Sequence, residues 1–251
     1  MHFKIIVPFY NVEPWIRTTI RSMKLQDYSD FQCILVDDMS TDNTNEIIME
    51  EIAGDNRFVL ITNSVKKYVL QNVCYAIDAS NPEKEDVIVI LDGDDWFARK
   101  NTLSILADSY DAEDCWLTYG SYMEYPSKIR GKFATQVSPD IVSNNAFRDS
   151  PWQTSHLRSW KYGLWQHIDQ HRSFREPNPI EPENHFSSCW DLAYMFPLLE
   201  LAGSKIHHIS EILYVYNRQN PLNVDKIKHQ TQLKMEQKIR NMLKYKPLEK
   251  L

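Results

Sequence analysis

The stretch VIVILDGDDWF, residues 87–97, decides how this sequence is interpreted. Five apolar residues run directly into a glycine flanked by three carboxylates, Asp92, Asp94 and Asp95. A short, fully apolar run of this kind is typical of a strand buried on both faces of a parallel sheet. Ligands of such sheets bind beyond the carboxyl ends of the strands, which is where these carboxylates stand.

The residues before this stretch alternate between two apolar patterns. Strand-like runs occupy residues 3–7, 31–36, 57–62 and 86–91, and helical spacing occupies 13–26, 40–53 and 66–80. Such alternation indicates βαβ units around a parallel sheet. A second acidic cluster, Asp37 and Asp38, follows the second run and therefore falls at the same edge of the predicted sheet.

The composition bounds the class of protein. A chain of 251 residues with 43% apolar and 25% charged residues is typical of a soluble globular domain. The net charge of −6 argues against a nucleic-acid partner. The 4 cysteines lack metal-ligand spacing, and Pro8 ends the first apolar run too early for a signal peptide. We expect reduced thiols, no membrane span and a cytoplasmic protein.

The clustered carboxylates predict a metal site. Carboxylates crowded at a strand end repel one another unless a divalent cation lies among them, and oxygen-only ligands suit Mg²⁺ or Mn²⁺. Gly93 is interpreted as a position where the backbone approaches a ligand. The alternative is a solvated acidic turn after a core strand. Asp37 and Asp42 are better explained as turn residues that bond nearby backbone.

Three motifs together carry a resemblance to a known family. IIVPFYN (5–11), ILVDDMSTDNT (34–44) and VILDGDDW (89–96), in this order and spacing, resemble the inverting glycosyltransferases of family 2. The resemblance covers roughly residues 3–110. It implies a GT-A (Rossmann-like) α/β fold, with a mixed, mainly parallel sheet flanked by helices. It also implies a nucleotide-sugar donor, most commonly a UDP-sugar, and Mn²⁺ or Mg²⁺.

The resemblance assigns roles to individual residues. It places Pro8 and Tyr10 at the base pocket, and Asp38 where the family typically meets the base. Asp92 matches a contact to the ribose or the metal, and Asp94 matches the principal metal ligand.

One position departs from the family's pattern. The family often carries an arginine near the third helix, close to the donor, whereas SVKKYVLQN (64–72) offers Lys66 and Lys67. We take Lys67 and Gly93 as further donor-binding candidates. A lysine balances phosphate charge but cannot make the bidentate contact of arginine.

Residues 152–168 supply two acceptor candidates. His156 and Arg158 lie among aromatic residues, whose faces stack on sugar rings, while histidine and arginine contact hydroxyls or phosphates. The alternative is an amphipathic helix. Its core face would contain Leu157, Trp160, Leu164 and Ile168.

The segment SSCWDLAYMFPLLELAG, residues 187–203, contains the catalytic candidate. Asp191 matches the family's catalytic base, an aspartate in a late acidic motif that opens a helix. Trp190 stands where the family usually has a second acid, and we keep it as an acceptor candidate. Inverting transfer needs one carboxylate to take the proton of the acceptor hydroxyl. The alternative is that Asp191 only caps the helix.

Three further segments complete the prediction. Residues 172–186, with three prolines, predict a mobile loop over the site. His207 and His208 are expected to be strand residues. Residues 224–251 predict a C-terminal helix whose basic residues suggest peripheral contact with a membrane, although a docked helix or a dimer contact is favoured. One apolar face of this helix would contain Ile227, Met235, Ile239 and Met242 or Leu243.

The predicted organisation is a GT-A domain at 1–222 followed by the C-terminal helix at 223–251. Residues 1–110 form the donor half and 111–222 the acceptor half. The predicted activity is metal-dependent inverting transfer of a sugar to a hydroxyl of a glycan, lipid-linked or other acceptor. A nucleotidyltransferase acting on sugar phosphates and a catalytically inactive nucleotide-sugar-binding module are the alternatives.

Overall fold

A computed structural model describes residues 1–175, 185–186, 188–223 and 229–251. Within these residues the strands form one eight-stranded sheet. The strands are β1 (Phe3–Phe9), β2 (Phe31–Asp37), β3 (Phe58–Thr62), β4 (Val87–Ile90), β5 (Trp96–Phe97), β6 (Leu117–Tyr125), β7 (Arg158–Lys161) and β8 (Ile206–Asn217). Their spatial order is β3-β2-β1-β4-β7-β6-β8-β5.

The first four strands are parallel, and the sheet becomes mixed beyond β4. β1 pairs with β2 on one side and with β4 on the other, with Phe3 opposite Phe31 and Val87. β7 runs antiparallel to both β4 and β6, while β8 is parallel to β6. The predicted α/β class with a mixed, mainly parallel sheet is therefore confirmed.

The helices cover both faces of this sheet. They are α1 (Glu13–Lys24), α2 (Thr44–Ile52), α3 (Tyr68–Ala79), α4 (Thr102–Glu113), α5 (Pro139–Ser143), α6 (Tyr162–Trp165), α7 (Gln170–Phe174), α8 (Trp190–Ala202) and α9 (His229–Arg240). Alternate residues of β1 enter different cores, because successive strand side chains point to opposite faces. Ile5 and Val7 pack with α1 and α4, whereas Ile6 packs with α3 and α8.

Residues 152–168 do not form the helix that was considered for them. Residues Arg158–Lys161 form β7 and fill the place beside β4, and only Tyr162–Trp165 are helical. Leu157 and Trp160 are both buried as expected, but on opposite faces of the sheet. Without β7, the backbone N–H and C=O groups along this edge of the buried strand β4 would lack partners, and this favours a strand over a helix here.

The C-terminal segment is docked on α8. The predicted helix is shorter than expected, because α9 ends at Arg240 and residues 241–251 continue without regular structure. Ile239 is buried. The buried Arg148 guanidinium pairs with Glu200 at 2.5 Å, and Glu200 also accepts the backbone N–H of Tyr245 at 2.9 Å.

The predicted mobile loop at 172–186 is described only at its ends. α7 covers its beginning, and the Phe186 N–H donates to the Phe174 carbonyl at 3.0 Å. The lid prediction for residues 176–184 lies outside the described residues. His207 and His208 belong to β8, as expected. In the part of the chain that the structure describes, every helix is too short or too polar to cross a membrane.

Candidate functional site

Asp92 stands at the centre of the candidate site, two residues beyond the end of β4. Burial, followed by repulsion from the Asp94 carboxylate, raises the pKa of Asp92 to about 7. The Tyr214 hydroxyl lies 3.5 Å from Asp92 Oδ2 and receives the Asp92 backbone N–H at 3.3 Å. A positive charge placed here would favour the ionised form of Asp92.

Asp95 is turned away from this site and into the protein. Its carboxylate accepts the Tyr214 hydroxyl at 2.5 Å and the Asn217 backbone N–H at 2.7 Å. Burial, together with the charges of Asp94 and Asp92, raises the pKa of Asp95 well above its ordinary value. Asp95 therefore connects the acidic turn, which we define as Asp92–Asp95, to β8.

Asp92 and Asp94 remain the candidates for binding a cation in the acidic turn. Asp94 Oδ2 accepts the side-chain amide of Asn220 at 2.7 Å. Among residues 1–175, 185–186, 188–223 and 229–251, no group of three or more histidine, cysteine or acidic side chains is placed to hold a metal. Two carboxylates fit Mg²⁺ or Mn²⁺ only where water and donor phosphates complete the coordination.

Gly93 packs tightly against the end of β1. A Cβ atom at this position would lie 2.4 Å from the Cβ of Phe9. The Gly93 N–H donates to the Pro8 carbonyl at 3.2 Å, and its own carbonyl accepts the Thr19 hydroxyl at 3.0 Å. The missing side chain thus lets the acidic turn pack on the end of β1, and contact of Gly93 with the donor stays a prediction.

The predicted base pocket lies at the carboxyl end of β1. Pro8 is buried within β1, whereas Tyr10 is exposed just beyond it. The Lys66 ammonium lies 3.1 Å from the centre of the Tyr10 ring, a cation–π contact. Lys67, the lysine chosen from the sequence, instead places its ammonium 4.3 Å from the centre of the Tyr75 ring.

Asp38 fastens the start of α3 to the end of β2. Its carboxylate accepts the backbone N–H groups of Lys67 at 2.8 Å and Tyr68 at 3.1 Å, and the Asn63 amide at 3.2 Å. Asp37 forms the expected turn by accepting the Ser40 N–H at 2.8 Å. Asp38 therefore holds the segment that carries Lys66 and Lys67 close to Tyr10.

Asp191 meets Arg158 at the start of α8. Arg158 Nη2 donates to Asp191 Oδ2 at 2.9 Å, and the side chains are 3% and 22% exposed, respectively. The helix begins after Cys189, so Asp191 is not its N-cap, and the capping alternative is wrong. Arg158 is buried beside Asp191, which differs from the free acceptor contact suggested by the sequence.

Arg158 links Asp191 to the acidic turn. Burial by itself lowers the pKa of Arg158. The nearby Tyr194, Asp191 and Asp92 together raise it by more than burial lowers it, so the pKa of Arg158 lies above its ordinary value. The guanidinium carbon lies 5.9 Å from the centre of the partly exposed Trp190 ring. Arg158, Asp191 and Trp190 therefore form one cluster beside Asp92.

His156 lies in an aromatic stack. Its ring lies 4.4 Å from Tyr214 and 5.4 Å from Tyr216, nearly parallel to both. Burial, followed by the charge of Arg158, lowers the pKa of His156 well below its ordinary value. His156 therefore supports Tyr214, the residue that contacts Asp92 and Asp95.

Three residues of this site were missed in the sequence. Tyr214, Asn217 and Asn220 come from β8 and the turn after it, and they bond the acidic turn from more than a hundred residues away. No local pattern distinguishes them from ordinary strand and turn residues.

Comparison with known proteins places the chain among glycosyltransferases. The model described as "Glycosyl transferase family 2" matches residues 4–178. Glycosyltransferase GlyG of Streptococcus pneumoniae serotype 4 is 25% identical over 218 residues, which cover 86% of this chain and 70% of that protein. The Escherichia coli enzyme WfgD is 31% identical over 143 residues, which cover 56% of this chain and 53% of WfgD. WfgD is named UDP-Glc:alpha-D-GlcNAc-diphosphoundecaprenol beta-1,3-glucosyltransferase.

Solved structures show the same fold. TarS 1-349 of Staphylococcus aureus, in complex with UDP-GlcNAc, has a TM-score of 0.65 at 20% identity. That match covers 88% of this chain and 59% of TarS 1-349. Mannosyltransferase PcManGT of Pyrobaculum calidifontis, in complex with GDP-Man and Mn²⁺, has a TM-score of 0.62 at 16% identity. That match covers 97% of this chain and 66% of PcManGT. These likenesses confirm the predicted GT-A fold.

Proposed function

Because the chain belongs to glycosyl transferase family 2, we propose that it transfers a sugar from a nucleoside diphosphate to a hydroxyl group with inversion. The observation that carries this proposal is the ion pair between Arg158 and Asp191 beside Asp92. It brings a carboxylate suited to proton abstraction next to carboxylates suited to the donor's metal ion.

A UDP-sugar is the proposed donor. TarS is solved with UDP-GlcNAc, and WfgD is named for UDP-Glc, which favours uridine over other bases. Pro8 and Tyr10 would line the base pocket, and the base would stack on the face of the Tyr10 ring that the Lys66 ammonium does not cover. Asp38 would accept a hydrogen bond from the base, in the place where the family's pattern has this contact. This requires the Asp38 carboxylate to accept from the base in addition to the backbone of α3.

The donor's diphosphate is proposed to lie over the acidic turn. Asp94, assisted by Asp92, would hold Mn²⁺ or Mg²⁺, which when bound stabilises the negative charge of the departing diphosphate. The raised pKa of Asp92 supports this assignment, since a carboxylate disfavoured by burial and by Asp94 gains most from a cation. PcManGT, solved with GDP-Man and Mn²⁺, provides a precedent in the same fold. Lys67 is retained as a candidate contact to the phosphates.

Asp191 is the proposed general base. It would take the proton of the acceptor hydroxyl while that oxygen bonds to the anomeric carbon from the face opposite the diphosphate. The bond from the anomeric carbon to the phosphate oxygen breaks, and its electron pair leaves with the nucleoside diphosphate. Arg158 holds one oxygen of Asp191, which directs the other oxygen toward the acceptor.

The acceptor is proposed to lie between Asp191 and Trp190. The indole ring offers a face on which a sugar of the acceptor can stack, in the place where the family usually has an acid. A glycan or lipid-linked acceptor is consistent with the name of WfgD. His156 is assigned to supporting Tyr214 rather than to the acceptor, because its ring lies within the aromatic stack.

A panel of nucleotide sugars tests the proposal. Melting temperatures are measured with UDP-GlcNAc, UDP-Glc and GDP-Man, each with and without Mn²⁺, and release of the nucleoside diphosphate is then followed for the stabilising donor. We expect one UDP-sugar to stabilise the protein in the presence of Mn²⁺ and to release UDP. Stabilisation without turnover would favour a binding module. Release of pyrophosphate from UTP and a sugar phosphate would favour a nucleotidyltransferase.

A further inference from the structure

A turn rich in basic residues projects beyond β6. We call residues 125–133, YPSKIRGKF, the basic tip. It contains Lys128, Arg130 and Lys132 and no acidic residue, although the whole chain carries a net charge of −6. The basic tip is therefore a local reversal of the protein's charge.

The basic tip is held in one conformation by contacts with β6 and β8. The Glu124 N–H donates to the Ile129 carbonyl at 2.8 Å and closes the turn. Arg130 donates through Nη2 to the Ser121 hydroxyl and to the Ser210 carbonyl, both at 2.6 Å. A Cβ at Gly131 would lie only 1.9 Å from the Tyr122 ring, so the backbone packs directly on that ring.

Three apolar side chains of the basic tip are exposed. Ile129 is 63% exposed, Phe133 is 43% exposed and Tyr125 is 38% exposed. The Lys132 ammonium lies 5.0 Å from the centre of the Phe133 ring. Aromatic and aliphatic side chains interspersed with lysine are typical of segments that enter the headgroup region of an anionic membrane.

The basic tip adjoins the candidate site. Tyr125 is paired in register with Asn217, whose backbone N–H donates to Asp95. The Tyr125 ring also lies 5.2 Å from the ring of Trp96, the residue that follows Asp95. A surface on which the tip rests would therefore lie at the rim of the donor site.

We propose that the basic tip docks on an anionic lipid bilayer. Protein partners of stable complexes usually cover about 800 Å² on each side, whereas a nine-residue turn presents three apolar side chains. Shallow insertion of those side chains, with Lys128 and Lys132 at the lipid phosphates, fits this small surface better. Binding of the basic tip to a bilayer needs neither the donor nor catalysis.

Vesicle flotation tests the proposal with the full chain alone. One set of vesicles contains equal parts phosphatidylglycerol and phosphatidylcholine, and the other contains phosphatidylcholine only. We expect binding to the anionic vesicles, weakened by added salt, and little binding to the neutral ones. Lys128→Glu combined with Lys132→Glu should weaken binding at least about twentyfold. Ile129→Ser combined with Phe133→Ser should weaken it about tenfold.

The C-terminal segment provides the matched control. Leu243 and Lys246 are exposed there, and Leu243→Ser combined with Lys246→Glu makes the same kind of change outside the tip. This control should bind anionic vesicles like the wild type, and melting temperatures verify that all variants are folded. The proposal is overturned if the wild type ignores anionic vesicles or binds both kinds equally. It is also overturned if folded tip variants bind normally or if only the C-terminal control loses binding.

Discussion

Arg158 and Asp191 form a 2.9 Å ion pair beside the acidic turn, although they lie on different elements of the fold. Arg158 is placed there because β7 pairs antiparallel with β4, with Arg158 opposite Ile90. Asp191 is placed there by the first turn of α8. The last residues of the central strand and the proposed base are thus connected through one buried guanidinium.

Loss of the Arg158 guanidinium should impair turnover more than donor binding. Removal of one partner of a buried pair leaves Asp191 without a fixed direction, and small misplacements of a catalytic group can cost about a hundredfold in rate. We expect Arg158→Gln to lower kcat by about ten- to a hundredfold, with the donor KM within about threefold of wild type. Steady-state kinetics on the stabilising UDP-sugar measures both.

The conservative variant Arg158→Lys is the control for this prediction. It restores a positive charge without the planar fork, so its kcat should lie between those of Arg158→Gln and the wild type. An unchanged kcat per folded molecule in Arg158→Gln would show that Arg158 has only a structural role.

Asp94→Asn should remove the metal dependence of donor binding. The substitution keeps the shape of the side chain but removes the charge that attracts a hard cation. Calorimetric titration of UDP with and without Mn²⁺ should therefore give the same weak affinity in both conditions. Asp108→Asn, an exposed carboxylate on α4, is the control and should retain wild-type metal dependence. The assignment fails if Asp94→Asn still binds UDP more tightly with Mn²⁺.

Gly93→Ala should destabilise the fold. Its Cβ would lie 2.4 Å from the Phe9 Cβ, so β1 or the acidic turn must shift, and overpacking of this kind costs about 1–3 kcal/mol. Gly120→Ala is a matched buried control, because its Cβ would meet nothing closer than 3.5 Å. Urea unfolding measures both free energies. Equal stability of the two variants would contradict the account of Gly93.

His156 should make the wild type less stable in mild acid. Its pKa is lowered in the folded state, so the unfolded chain binds the proton more readily as the pH falls through the ordinary value of 6.5. Stability is therefore lost on the acid side of that value, by up to about 1.4 kcal/mol per pH unit for one group. His156→Phe keeps a ring in the stack and removes this contribution.

Urea unfolding of both proteins between about pH 7.5 and about pH 5 tests this sign. The stability of His156→Phe relative to the wild type should increase as the pH falls, and taking the difference cancels the other titrating groups. A difference that does not change with pH would contradict the burial of a neutral His156.

The parts of the fold that local sequence patterns determine were predicted. In residues 1–110, apolar runs typical of strands alternate with apolar residues at helical spacing, and this alternation identified the parallel half of the sheet. The pattern is visible locally because the apolar residues of each element pack into the core on one or both faces of the sheet. Residues 152–168 were misjudged because Leu157 and Trp160 fit a helical spacing as well as a strand. Residues Arg158–Lys161 form a strand because they pair with the edge of β4, which lies far away in the sequence.

The candidate site shows the same division between local and distant determinants. Asp92, Asp94 and Asp191 stand in motifs that can be recognised from neighbouring residues. The reason for Gly93 lies in Phe9, and the partner of Asp191 lies in β7; both depend on contacts formed only after folding. These long-range contacts account for what the sequence did not predict.

Donor hydrolysis by Asp191→Asn is the decisive measurement of whether Asp191 is the general base. With water in place of the acceptor hydroxyl, turnover of the stabilising UDP-sugar still needs a proton acceptor. A general base contributes about 10²–10⁴-fold to rate and little to donor affinity. UDP affinity and melting temperature are measured on the same variant.

We predict that Asp191→Asn stays folded and binds UDP and Mn²⁺ like the wild type, while its turnover per folded molecule falls by roughly two to four orders of magnitude. Its melting temperature should be lower than that of the wild type, because the buried Arg158 loses its charged partner. Turnover within about twofold of the wild type would exclude Asp191 as the general base. The base would then have to be sought elsewhere, first at Glu181 or Glu183, which lie outside the described residues.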